Sequence, residues 1–161
     1  MIPDLVTERT LPHPLLTTEA ALIAAAWVPL LVQRIGAVRV EPGPTRDQGD
    51  TVEHTFHLHP GKTPFPGFDG AWTLELIYTR PAHRQEYVVV PQDPRLAPLA
   101  INKGQLSLTP LGDGTRITLE GVSQCRLPLI RRWVDPWARR KTEKLFTRWV
   151  DALDEAIRTQ A

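Results

Sequence analysis

The chain has 161 residues, of which 42% are hydrophobic and 23% charged, and its net charge is +1. That length suits one domain, spanning residues 1–161, with a real core, and the near-neutral balance gives no global argument for nucleic acid. The lone cysteine, Cys125, excludes an internal disulfide or a Cys-rich zinc site; with no stretch near the ~20 apolar residues of a membrane span and no basic-then-apolar leader, a cytoplasmic protein is expected.

Asp4 to Leu11 reads as an extended strand closed by Pro12-His13-Pro14. Thr17 or Thr18 is then expected to cap a helix with Glu19 in its first turn. The apolar run Ala20 to Ile35 contains Pro29, which divides it into two short helices with a bend near Trp27 and Val28, and Gly36 is the stop. Ala37 to Glu41 is a short strand, and Pro42 through Asp50 a turn-rich loop. Thr51 to His59 alternates, with Val52, His54, Phe56 and Leu58 on one face and His57 and His59 on the other. After a Gly- and Pro-rich loop over Pro60 to Gly70, Ala71 to Thr79 alternates again and sets Trp72, Leu74, Leu76 and Tyr78 on one side. Arg84 to Val90 follows as a strand, then a proline-broken loop. Ile101 to Thr109 and Thr115 to Gln124 flank a hairpin turn, with Leu106, Leu108, Ile117 and Leu119 marking the inner face. Asp135 as N-cap and Pro136 in the first turn predict a closing helix of about 24 residues, ~36 Å long. Phe146, Trp149, Val150, Leu153 and Ile157 form its apolar stripe, extended upstream by Trp137 and Leu145.

Strand, bent helical pair, about six consecutive strands and a long helix argue for an antiparallel meander that must cover one apolar face. The closing helix is the only adequate cover. This order, the proline-bent pair, the closing helix and the hairpin Leu111-Gly112-Asp113-Gly114-Thr115-Arg116-Ile117-Thr118-Leu119 resemble the START-like (SRPBCC) superfamily. Its relatives include polyketide-cyclase-like proteins, the Bet v 1-like plant allergens and lipid-transfer START domains. The resemblance implies an α+β helix-grip fold, in which a curved antiparallel sheet wraps the C-terminal helix around an elongated cavity. The proline load and the loop from Pro60 to Gly70 depart from the pattern.

A sheet curled round a helix leaves gaps where small molecules bind. The expected lining is His54, Phe56 and Leu58; Trp72, Leu74, Leu76 and Tyr78; Leu106, Leu108, Ile117 and Leu119; and Phe146, Trp149 and Leu153 from the helix. The alternative is that these side chains pack as solid core. The implied function is binding or transport of a small hydrophobic molecule, such as a lipid, quinone or polyketide-like compound. A cyclase, dehydratase or hydrolase in the same cavity is the alternative, with His54 and Tyr78 as its acid–base candidates. His57 and His59 sit two apart on the outer face, where solvation is the simpler reading than zinc binding.

Between Arg126 and Arg148 eight Lys or Arg stand against two acids, Asp135 and Glu143. Trp133 and Trp137 are interleaved with Arg131, Arg132, Arg139 and Arg140. The solvated back of a helix is one reading; an anionic membrane surface, a phosphate-bearing ligand or a protein partner, the membrane or protein reading over a filled core, are the others. Nucleic acid is disfavoured because no stacking platform or groove-reading motif accompanies the charges. No phosphate-binding glycine motif occurs, so no nucleotide cofactor is expected, and no metal either. Oligomeric state is left open by the sequence.

Overall fold

A computed structural model describes residues 3–34, 37–60 and 70–160. In chain order the elements are β1 (Leu5–Leu11), α1 (Leu15–Ala24), α2 (Trp27–Arg34), β2 (Ala37–Asp47), β3 (Thr51–Pro60), β4 (Trp72–Thr79), β5 (Arg84–Pro91), a 3-10 turn (Ala97–Leu99), β6 (Ala100–Leu111), β7 (Gly114–Cys125) and α3 (Arg131–Gln160). The seven strands form one antiparallel sheet in the order β1-β7-β6-β5-β4-β3-β2. Successive hairpins build the meander from β2 to β7, and β1 crosses over to close the far edge. α3 packs against β7, β1, α1 and α2. The core is the inner sheet face together with one stripe of α3, with Leu106, Leu108, Ile117, Leu119, Phe146, Trp149, Val150, Leu153 and Ile157 all buried.

Four boundaries differ from the sequence reading, each for a local reason. α1 starts at Leu15 behind an extended Pro14 (φ −59°, ψ 155°), so Thr18 is not a cap. Its hydroxyl instead donates back to the Pro14 carbonyl at 3.1 Å inside the helix. The break between the helices falls at Ala25, in the left-handed region (φ 55°), and Pro29 sits in the first turn of α2, where a missing N–H is tolerated. The two axes are bent by 75°, and Trp27 and Val28 are fully buried at the elbow. β2 runs on through Pro42 and Pro44 to Asp47, with a register shift between Pro42 and Thr45. Prolines are admissible there because β2 is an edge strand. The expected helix stop at Gly36 and the loop residues 61–69 lie outside the described residues.

The fourth difference is the start of α3. Helical hydrogen bonding begins in the turn before it, where Arg131 N–H donates to the Leu127 carbonyl at 3.0 Å. Asp135 is therefore inside the helix, not at its cap. Its carboxylate accepts from the Cys125 N–H at 2.9 Å and from Arg131 Nε at 3.1 Å, which ties the helix to the end of β7. Trp137 is exposed, not core: the first buried residue of α3 is Thr142. Trp137 stands about two and a half turns before Phe146 and so faces away from the core. Further along, Arg9–Asp151 (3.1 Å), His13–Asp154 (2.6 Å) and Arg34–Glu155 pin α3 to its neighbours. Partly exposed pairs of this kind fix orientation more than they stabilise.

No single described helix is long and apolar enough to cross a membrane.

Candidate functional site

The antiparallel register brings the alternating residues onto one surface. Val52, His54, Phe56 and Leu58 on β3 stand opposite Tyr78, Leu76, Leu74 and Trp72 on β4. The last four oppose Gln85, Tyr87, Val89 and Pro91 on β5. Gln85 and Tyr87 in turn oppose Leu106 and Gly104 on β6, and these oppose Leu119 and Gly121 on β7. All the residues that the alternation singled out on β3, β4, β6 and β7 therefore share the inner face, with Phe146, Trp149 and Leu153 supplied by α3.

Burial along this face is graded. At one end Val52, Leu76, Tyr78, Gln85, Leu106 and Leu108 are fully enclosed. At the other, Leu58, Trp72, Val89 and Asn102 are only half-buried, Pro91 being the exception. The open end lies toward the start of β6 and the end of β7, which is also where α3 begins.

The closed end is sealed by a polar cluster. Glu19 of α1 accepts from the Tyr78 hydroxyl at 2.6 Å and pairs with His83 Nδ1 at 2.5 Å. Burial and the Glu19 carboxylate together hold the Tyr78 phenol well above the usual tyrosine range. His54 is likewise fully engaged: Nε2 lies 2.6 Å from the Ile23 carbonyl and Nδ1 3.1 Å from the Thr45 hydroxyl. Donation from Nε2 and acceptance at Nδ1 would satisfy both bonds, so neither acid–base candidate has an unclaimed polar atom facing the interior.

The unclaimed atoms belong to other residues. Trp149 stacks on Trp27 (centroids 4.7 Å apart, planes at 24°) and meets Tyr87 edge-on at 5.5 Å. Both indole N–H groups, the Tyr87 hydroxyl, both amide atoms of Gln85 and the Asn102 Oδ1 are buried without a protein partner. Gln85 is 0% and Tyr87 5% exposed. A buried polar group left without any partner costs about 1–3 kcal/mol. Such atoms need water or a ligand as partner. Burial, with the Asp4 charge adding, pushes the Tyr87 phenol up to about 12, so it is a neutral donor at ordinary pH.

Sequence reasoning passed over Gln85 and Tyr87 because Val88-Val89-Val90 blurs the alternation of β5. A signal was nevertheless present in the two strand glycines. Gly104 and Gly121 face each other across β6 and β7, and a Cβ on either would lie 2.8 Å from the Tyr87 hydroxyl oxygen. Missing side chains inside strands mark the close approach of another group, here the phenol. A Cβ on Gly104 would also sit 2.4 Å from the Glu120 carbonyl oxygen, which is backbone and cannot yield cheaply. Gly104→Ala is expected to destabilise the protein by about 1–3 kcal/mol, measured as a lower urea midpoint at unchanged slope; a shift under about 0.5 kcal/mol would remove Tyr87 from its place over the glycines.

Elsewhere the surface carries two open clefts beside α3. One of about 680 Å³ is lined by His13, Leu16, Thr17, Ala20, Ile157 and Arg158, among others. The other, about 390 Å³, lies between Asp4, Leu5, Pro136, Arg139, Arg140 and Glu143. On the outer face His57 meets Gln92 Nε2 at 3.0 Å and Thr73 Oγ1 at 3.5 Å, and His59 lies 3.7 Å from Glu41.

A seven-stranded antiparallel sheet gripping a long C-terminal helix, with a short helical pair after the first strand, is the helix-grip fold seen in Bet v 1-like proteins. No family model and no curated protein sequence matches the chain. Among solved structures it is similar to TTHA0849 from Thermus thermophilus, with TM-score 0.69 and 14% identity over 99% of both chains. Norcoclaurine synthase from Thalictrum flavum, in complex with dopamine and hydroxybenzaldehyde, gives 0.66 and 13%, covering 98% of this chain and 87% of the synthase. The Zhui aromatase/cyclase from Streptomyces sp. R1128 gives 0.50 and 15%, covering 95% and 89%. At these identities the likeness is one of fold alone.

Proposed function

We propose that the protein binds or carries a small, largely apolar molecule between the inner sheet face and α3, one of lipid, quinone or polyketide-like character bearing at least one oxygen function. The observation that carries this reading is the set of orphaned polar atoms on Gln85, Tyr87, Asn102 and Trp149 within an otherwise apolar interior. A carbonyl or hydroxyl on the ligand would accept from Tyr87 or Trp149 and exchange hydrogen bonds with Gln85, while Phe56, Leu74 and Phe146 meet its apolar body. Carriage is favoured over catalysis because His54 and Tyr78 spend their polar atoms on Ile23, Thr45 and Glu19. Catalysis in the same space would have to run through Tyr87, a weak acid held neutral.

Native mass spectrometry of gently purified protein is expected to show an apolar adduct that denaturation releases. Gln85→Leu should weaken retention of that compound about 3- to 10-fold, the worth of one neutral hydrogen bond. The same change should leave the ligand-free protein equally or more stable, because it removes two orphaned atoms. A clean apo mass, both from fresh lysate and after incubation with fatty acids, quinones and aromatic polyketides, would refute the proposal.

A further inference from the structure

We infer that the N-terminal third of α3 and the turn leading into it form a docking face for an anionic lipid bilayer. The inference stands apart from the ligand reading and rests on the surface alone. Of the eight exposed large hydrophobic residues among those described, five fall between Leu127 and Trp137. Leu129 is 90% exposed, Trp133 70% and Trp137 53%, where a folded chain gains nothing by holding an indole in water. Spacing places them coherently. Trp133, Trp137, Lys141, Lys144 and Arg148 follow one another at intervals of three and four on one face of α3, and Ile130 precedes them in the turn. Thr142, Phe146, Trp149 and Leu153 occupy the opposite face and point into the core. The stripe is therefore not the back of a buried helix that happens to be polar. It is a second amphipathic surface, apolar at its start and basic beyond.

Charge selects the occupant. Residues 126–148 hold eight cations and two acids, a net +6 in a chain of net +1, so the remainder carries −5. One of the two acids, Asp135, is already bound to Arg131 and the Cys125 N–H. Arg132 lies over the Trp133 ring at 5.1 Å and Lys141 over that of Trp137 at 4.6 Å, so each indole carries its own cation. Aromatic rings at headgroup depth flanked by Lys and Arg are what a lipid interface with negative headgroups accommodates. Nucleic acid would reward the cations but leave the exposed leucines and isoleucine unmatched. A protein partner would need an acidic surface with an apolar centre. The position adds sense: the stripe begins at the end of the sheet where Leu58, Trp72 and Val89 are half-buried.

The test is co-sedimentation of the full chain with vesicles of phosphatidylcholine alone and with roughly a third phosphatidylglycerol, together with tryptophan emission. Expected are binding to the anionic vesicles only, weakening about tenfold or more between about 0.05 and 0.5 M salt, and a blue shift on binding. The double variant W133A/W137A should lose the blue shift and bind about tenfold more weakly, and R140E/K144E should abolish binding; circular dichroism should show both folded, since all four side chains are exposed. Equal partition to neutral vesicles, no sedimentation, an unchanged W133A/W137A, or tight binding of a short DNA or RNA duplex without vesicle binding would each overturn the inference.

Discussion

Trp149→Ala is expected to remove about 3–5 kcal/mol of stability, the range for deleting a large buried aromatic, and to lower the melting temperature by roughly 6–20 °C for a chain of this size. The Trp149 side chain joins three elements. Its indole stacks on Trp27 of α2 and meets Tyr87 of β5 in a T-shaped contact, while its own backbone belongs to α3. Aromatic pairs of this geometry add about 0.5–1.5 kcal/mol each beyond area burial, so the truncation loses two such contacts along with the buried surface. The void would be lined on one side by helices and on the other by a sheet whose register is fixed by hairpins, and neither collapses easily. Trp149→Phe should recover much of the loss, because ring packing survives and one orphaned N–H disappears. Chemical denaturation of the three proteins decides the matter. A loss under about 1 kcal/mol for the alanine variant would mean that the helix is not gripped where the structure places it.

The parts of this fold that sequence disclosed are those where periodicity and burial have the same cause. Phe146, Trp149, Leu153 and Ile157 recur at helical spacing because a sheet lies beneath them, and Leu106, Leu108, Ile117 and Leu119 alternate because α1 and α3 lie above. The same logic misplaced Trp137. It stands about two and a half turns before Phe146, which puts it on the face opposite the stripe, where it is exposed. Asp135-Pro136 imitates a helix start closely, and only the tie from Asp135 to Cys125 shows that the carboxylate is employed elsewhere. β2 was cut short by its prolines because edge position, which excuses them, is a property of the assembled sheet. The orphaned polar set was hardest to see. Gln85 and Tyr87 look ordinary in Arg-Gln-Glu-Tyr-Val-Val-Val, and their importance arises only from what they fail to meet across four strands. His54 is the converse, a conspicuous polar residue in an apolar alternation that proves to be fully bonded to Ile23 and Thr45.

Raising the pH past 10 is expected to unfold the protein cooperatively, with tyrosine ionisation as its trigger. The chain has two tyrosines, and both are buried on the inner face. Unfolded, each ionises near pH 10. Folded, Tyr87 is pushed up to about 12 by burial and the Asp4 charge, and Tyr78 is also raised, by burial first and then by the Glu19 carboxylate that accepts its proton. The sign follows from which state holds the proton. Above pH 10 the unfolded chain releases two protons that the folded chain keeps, so stability is intact below pH 10 and falls as pH rises through the window toward 12. At about 1.4 kcal/mol per unit, Tyr87 alone withdraws about 3 kcal/mol across that window, and Tyr78 acts in the same direction. Tyrosinate absorbance should therefore stay flat through the pH range where a free tyrosine titrates, then rise together with the loss of near-ultraviolet dichroism. Tyr78→Phe and Tyr87→Phe should each cut the steepness of stability against pH by about one proton. Tyrosinate growing in from pH 10 while the aromatic dichroism persists would place at least one phenol in water, and with it would go the packed inner face on which Trp149, Gln85 and the proposed ligand all depend.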